Sequence, residues 1–311
     1  MPTAIVTGVL GQDGSYLSEL LVERGYRVVG VDLAARVADE ARTEHVVGDV
    51  GDGAFLTSLF ERVRPDEVFH LAGQTSVARS FVEPARTFVA LANGTLHVLE
   101  AARALRPSPK VLVAGSGEVF GDTAGAPANE ATPFRPLSPY AAAKAAAAQL
   151  VASYRASFGL FACVAHFYNH ESPRRPEHFV TQKIVRAACA IAKDPSRRLE
   201  LGDISVVRDF GWAPEYVDAA TRILAATEPL DFVIATGESC SLRAFVEASF
   251  AAVGLVAAEH VDHQPALLRA AEIPAMHADP SLAATRLGWR ASVHWRELVT
   301  RLVAAERERS A

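Results

Sequence analysis

Tyr140 and Lys144 stand four residues apart in SPYAAAK, the stretch from Ser138 to Lys144. Side chains at that spacing share one face of a helix. A positive charge beside a phenol stabilises the phenolate and lowers its pKa. The pair therefore predicts a tyrosine acting as general base near neutral pH. Upstream, AGSGEVFG (Ala114 to Gly121) carries Ser116 and Glu118. Ser116, at a strand end, would hold a substrate hydroxyl. Glu118 adds a second acid–base group, which plain alcohol oxidation does not need and an elimination does. Taken alone, a Y-x-x-x-K match is more often a pair of surface residues. The other motifs, in their correct order, carry the functional reading.

A dinucleotide loop opens the same chain. Gly8, Gly11 and Gly14 follow the first apolar run as G-x-x-G-x-x-G, with Gln12 and Asp13 inside the loop. Glycines let the backbone approach a pyrophosphate, and the following helix N-terminus offers N–H donors and a favourable dipole. The bare spacing is weak; placed between a strand and a helix it is strong. Asp32 closes the second strand, where a carboxylate accepts bonds from both adenosine ribose hydroxyls and repels a 2′-phosphate. That predicts NAD as cofactor, with NADP possible because Arg36 is near. Asp49 and Val50 are expected at the adenine edge. Leu71, Ala72 and Gly73 end the fourth strand and permit close approach.

The elements that must position these groups alternate. Strands are expected at residues 4–7, 27–32, 45–48, 67–72, 110–114 and 162–166. Helices are expected at 12–24, 53–63, 84–105 and 138–158. Such alternation implies a Rossmann-like, doubly wound parallel sheet, an α/β fold. From Asn169 the rhythm changes. Short strands at 199–201 and 231–235 mix with helices at 179–192, 214–226, 242–253 and 295–308. The expected division is a dinucleotide-binding unit over 1–168 and a smaller mixed α/β substrate unit over 169–311, interleaved with the first. Residues 122–139 read as a loop near the site.

These blocks resemble the extended short-chain dehydrogenase/reductases, and within them the GDP-mannose 4,6-dehydratase family. The resemblance rests on TGVLGQDGSYLSELL (Thr7 to Leu21), SPYAAAKAAA, YRASFGLFA (Tyr154 to Ala162), NHESPRRPEHFVTQKI (Asn169 to Ile184), RDFGWAPEYVDA (Arg208 to Ala219) and FVIATGES (Phe232 to Ser239). It spans nearly the whole chain, and the block from Asn169 is the most specific. It implies a lyase with tightly bound NAD(P). Tyr140 would take the sugar 4-hydroxyl proton as hydride leaves carbon 4. Glu118 would take the carbon-5 proton as water leaves carbon 6, and hydride would return to carbon 6. Lys144 would assist Tyr140 and contact cofactor; Ser116 would bind the hydroxyl.

The implied substrate is a GDP-sugar, held by Ser80, Asn169, Val180, Lys183, Arg208, Arg269 and Glu272. Arginine binds phosphate oxygens in a fork, so Arg208 and Arg269 are the leading diphosphate contacts, and Arg174 is a further cation on this side. Ion pairs of these arginines with Asp209 or Glu272 are the competing reading. Glu272 would alternatively receive ribose hydroxyls. Trp212 and Phe179 read as core.

Some residues depart from the family pattern. No basic run follows the second strand, which favours NAD and a homodimer over the family tetramer. Gly117 and Phe120 differ from the usual pattern, and HLAGQTSVARSFVEPARTF (His70 to Phe88) looks closer to GDP-4-keto-6-deoxy-sugar reductases. A reductase or a nucleotide-sugar 4-epimerase of the same fold is thus the alternative enzyme, and a catalytically inactive cofactor sensor the alternative class. Glutamate at position 118 weighs towards the dehydratase, although UDP-glucuronate decarboxylases share it.

Bulk composition excludes other classes. The chain has 311 residues, half hydrophobic and 22% charged, enough for a sizeable core. Net charge is −5, from 31 Lys and Arg against 36 Asp and Glu, with no basic run, so nucleic acid is not an expected partner. No stretch approaches a membrane span. Cys163, Cys189 and Cys240 lack metal or C-x-x-C spacing and fit free thiols in a reducing cytoplasm.

Overall fold

The computed structural model describes residues 1–35, 43–264 and 271–310. Arg36 and Arg269, both singled out above, lie outside the described residues. The apolar runs form a seven-stranded sheet in the order β10-β6-β5-β4-β1-β2-β3. Its strands are β1 (Thr3–Thr7), β2 (Arg27–Asp32), β3 (Thr43–Val47), β4 (Glu67–His70), β5 (Lys110–Ala114), β6 (Ala162–Phe167) and β10 (Phe232–Ile234). Every pairing is parallel. Strands covered on both faces read as continuous apolar runs, and β5 and β6 are buried almost throughout.

Two helical layers supply the cover. One face carries α1 (Gln12–Glu23) and α8 (Ala213–Ala225), through Leu17, Leu21, Tyr216 and Ile223. The other carries α2 (Gly53–Val63), α5 (Gly94–Ala104) and α6 (Pro139–Phe158), through Leu56, Phe60, Val98, Leu99 and Val151. Strand order reverses at β1, between β2 and β4. Ligands of open α/β sheets bind at such a switch point, outside the carboxyl ends of the strands.

A second core gathers α7 (Val180–Lys193), α9 (Leu242–Ala251) and α11 (Trp295–Arg309) around Ile184, Phe245 and Leu298. Beside it lie a three-stranded sheet of β7 (Asn169–Glu171), β9 (Val207–Trp212) and β11 (Ser239–Ser241), and the pair β8 (Leu199–Leu201) with β12 (Val261–His263). The units interleave. β10 comes from the second half yet extends the main sheet beyond β6. α8 packs on α1, and Arg24 pairs with Asp218 at 2.6 Å.

The structure differs from the sequence reading in several places. β4 stops at His70, so Leu71 to Gly73 follow the strand. Gly73 takes φ +149°, which breaks the extended run. A short helix α3 (Val77–Val82) precedes the expected long one. The latter is a rod of α4 (Pro84–Phe88), a widened π turn (Val89–Asn93) and α5. The three-residue strands β7, β11 and β12 and the helix α10 (Ser281–Leu287) had too few residues to show a period.

Candidate active site

β5 ends at Ala114, and the backbone turns at once into a 3-10 turn, Gly117–Phe120. The Ser116 hydroxyl caps that turn by accepting the Glu118 N–H at 3.2 Å. Ser116 and Glu118 are thereby fixed on one corner. Gly117 is required there, because a Cβ would lie 2.7 Å from the Tyr168 ring.

Facing this corner is the first turn of α6. The Ser138 hydroxyl accepts the Ala141 N–H at 3.1 Å, and Pro139 pre-sets the first helical residue. Tyr140 then projects from the first turn, and its hydroxyl is hydrogen-bonded to the Ser116 side chain. Ser116, Glu118, Tyr140 and Lys144 all line one cavity of about 670 Å³.

The expected electrostatics are corrected here. Burial pushes the Tyr140 phenol up to about 12, against the opposing Ser116 hydrogen bond. Burial also pushes the Lys144 ammonium down to about 8. Lys144 does not dominate the phenol, because its Nζ donates to the Ala114 carbonyl at 2.6 Å and lies 5.9 Å from the Tyr140 ring centroid.

The dinucleotide loop fits its expected ligand. Gly8 takes φ +74°, and a Cβ there would sit 2.9 Å from the Ala72 backbone. A Cβ on Gly14 would sit 2.2 Å from the Gly8 carbonyl. The glycines thus keep the turn tight against the strand ends. Gly11 caps α1 without a side-chain bond, leaving the helix N-terminus to the crevice. Asp32 stands at the end of β2 and accepts the N–H groups of Leu10 and Leu33 at 3.1 and 2.8 Å. Each oxygen keeps a lone pair. Asp49 accepts the Gly51 N–H at 2.7 Å, and Val50 is buried.

Gln12 and Asp13 do more than shape the loop. Gln12 donates to Asp13 and to the His170 carbonyl, and accepts the Ser172 hydroxyl at 2.9 Å. His170 Nε2 meets Asp13 at 2.9 Å and its Nδ1 meets the Tyr168 carbonyl at 2.7 Å. Both partners are acceptors, so both ring nitrogens must donate and His170 is an imidazolium. Burial disfavours both charges, but the Asp13 carboxylate raises the His170 pKa and the His170 charge lowers that of Asp13. This pair, with His170 buried and Asp13 half-buried, ties the cofactor loop to β7.

On the substrate side, Asn169, Val180, Lys183, Arg208 and Glu272 line the same cavity. Arg208 pairs with Glu272 at 2.6 Å and donates to the Ile273 carbonyl at 2.8 Å, the ion pair foreseen as the competing reading. Lys183 donates to the Glu200 carbonyl at 2.6 Å. Ser80 is not at the wall; it is fully buried and its hydroxyl caps back to the Val77 carbonyl. Thr75 and Ser76, just before α3, line the cavity instead. Arg174 turns outward to Glu19 and stacks on Tyr16. Trp212 packs against the second core as expected, but Phe179 lines the cavity with the Arg175 guanidinium 3.7 Å from its ring.

Among the cavity residues the sequence reading missed, His170, Glu171 and Arg175 fall in the NHESPRRPEHF block from which Asn169 and Arg174 were drawn. The block itself was the available signal. Its three-residue strand was too short to show which side chains turn inward.

A model of the family described as GDP-mannose 4,6 dehydratase matches residues 5–302. The chain belongs to that family. It is 40% identical to GDP-mannose 4,6 dehydratase 1 of Arabidopsis thaliana over 98% of this chain and 90% of the relative. Among solved structures, UDP-glucose 4-epimerase of Thermus thermophilus in complex with NAD superimposes with a TM-score of 0.87 at 28% identity, over 98% of this chain and 99% of that one. RMD from Pseudomonas aeruginosa complexed with NADPH gives 0.84 at 26%, over 99% of this chain and 100% of that one. The fold of this chain is thus shared with a UDP-glucose 4-epimerase. The cofactor here is NAD(P). Among the described residues no His, Cys, Asp and Glu cluster is arranged to hold a metal, and no helix is long and apolar enough to cross a membrane.

Proposed function

We infer that the protein is a GDP-mannose 4,6-dehydratase, and the observation that carries this is Glu118 on the same capped corner as Ser116, with Tyr140 hydrogen-bonded across. When bound, an oxidised nicotinamide would supply a hydride acceptor, a later hydride donor and a positive charge. Gly8, Gly11, Gly14 and Asp32 would hold its dinucleotide. Tyr140 takes the 4-hydroxyl proton, and Ser116 holds that hydroxyl in line. The resulting ketone acidifies carbon 5. Glu118 accepts the carbon-5 proton and returns one to the departing 6-hydroxyl, so that water leaves. Lys144, largely protonated at neutral pH, keeps a positive charge on this wall. Asn169, Val180 and Lys183 would contact the nucleotide. Arg208 would contact the diphosphate and Glu272 the ribose hydroxyls.

NAD is favoured over NADP by Asp32. The exposed Val82, Phe88 and Val89 support a homodimer. The three buried free thiols fit the cytoplasm.

The test is incubation with GDP- and UDP-sugars without added reductant. A 4-keto-6-deoxy product from GDP-mannose, with no net cofactor consumption, is expected. Glu118→Gln keeps the shape but accepts no proton. It should stop after the first oxidation, with no solvent deuterium entering carbon 5. Unimpaired product from this variant removes the role of Glu118, and consumption of reduced cofactor with a 4-keto sugar moves the reading to a reductase.

A further inference from the structure

The rod α4–π turn–α5 has helical backbone throughout: Phe88, Asn93 and Gly94 all keep right-handed helical angles. Only its hydrogen bonding widens. The Gly94 N–H reaches the Val89 carbonyl, five residues back, as well as that of Leu91. The Thr95 hydroxyl also donates to the Leu91 carbonyl, at 2.7 Å, and is itself buried. Such one-turn π bulges are rare and occur frequently at functional sites.

The widened turn separates two apolar faces. C-terminal to it, Val98, Leu99 and Ala102 belong to the core beneath the main sheet. Within it, Leu91 belongs to a separate small cluster with Tyr140 and Ala143, flanked by Val77. Leu91 also lies against Gly73, where a Cβ would sit 2.3 Å from Leu91 Cδ2. Its side chain is thus wedged between the Gly73 backbone and the catalytic helix, and is 2% exposed. An unbroken helical period would carry Leu91 with Val98 and Leu99. The inserted residue frees it to face the tyrosine.

We propose that the π turn positions Leu91 as the packing wall of Tyr140, holding the ring and keeping water from its hydroxyl. The inference rests on the reading of Tyr140 as the base. Leu91 touches no reacting atom in this role; it acts through the tyrosine. Two consequences follow. Shortening Leu91 loosens the ring, so the rate at the pH plateau falls. It also hydrates the phenol, and a hydrated phenol ionises more readily than a buried one.

The experiment compares holoenzyme variants Leu91→Ala, Leu91→Met, Val98→Ala and Tyr140→Phe across pH with GDP-mannose. In Leu91→Ala, plateau kcat should fall roughly 10- to 100-fold with KM little changed. The acid limb of kcat/KM should move down by about 1 pH unit. Leu91→Met refills the space and should restore the limb. Val98→Ala empties an equally buried site away from the tyrosine, and should lower the melting temperature without moving the limb. An unmoved limb in Leu91→Ala, with a rate loss matching Val98→Ala, overturns the inference while an inactive Tyr140→Phe leaves the base reading standing. Turnover retained by Tyr140→Phe overturns both.

Discussion

Tyr140→Phe removes one oxygen from a ring that otherwise stays packed against Leu91 and Ala143. Burial holds that phenol at about 12, from an ordinary value of 10.0. Two units correspond to about 3 kcal/mol against the phenolate. At pH 7, well below that value, the phenol holds its proton before charges brought by ligands act. For Tyr140 to act as the base, charge brought by the ligands must lower that value, and a phenylalanine has no proton to lose. A positioned general base contributes about 10²–10⁴-fold, so turnover should fall by that factor. The hydrogen bond lost to Ser116 is worth about 1 kcal/mol, so the melting temperature should drop by only a few degrees and cofactor content should persist. The assay is the alkaline absorbance of the 4-keto product from GDP-mannose, with bound dinucleotide quantified in parallel. More than about a tenth of the wild-type rate would refute the reasoning, because the smallest effect expected of such a base is about 10².

Titration of the cofactor-stripped enzyme should show NAD⁺ binding more tightly than NADP⁺, and Asp32→Asn should narrow the gap by removing the charge that faces the 2′-phosphate; equal affinities in the parent enzyme would contradict this. Asp13→Asn should destabilise the fold in a pH-dependent way. Asp13 has a lowered folded pKa, so its stabilisation is present above its ordinary 3.8 and lost as pH falls through the folded value. His170 has a raised one, so its share is present below 6.5 and lost as pH rises through the folded value. Urea unfolding should therefore separate parent and variant most between pH 3.8 and 6.5, and a pH-independent difference would contradict the charged pair.

What the sequence determined was local. A glycine loop between an apolar run and a helix, an aspartate closing the next run, and a tyrosine and lysine one turn apart each state their chemistry within a few residues. The central sheet was legible for the same reason, since strands buried on both faces leave continuous apolar runs. The corner of Ser116 and Glu118 was readable because a single glycine, Gly117, separates them in sequence. Tertiary structure alone decided the rest. The Tyr140 pKa depends on burial and on where Lys144 finds its partner, and that partner is a carbonyl 30 residues away in sequence. His170 is charged because Asp13, 157 residues off, supplies the second acceptor. Ser80 faces its own helix because a buried hydroxyl satisfies itself at the nearest carbonyl. Leu91 reads as one more core leucine until an inserted residue turns it towards the tyrosine. In each case the deciding quantity is a three-dimensional one, solvent exclusion or a distant hydrogen-bond partner, and neither leaves a period or a spacing in the chain.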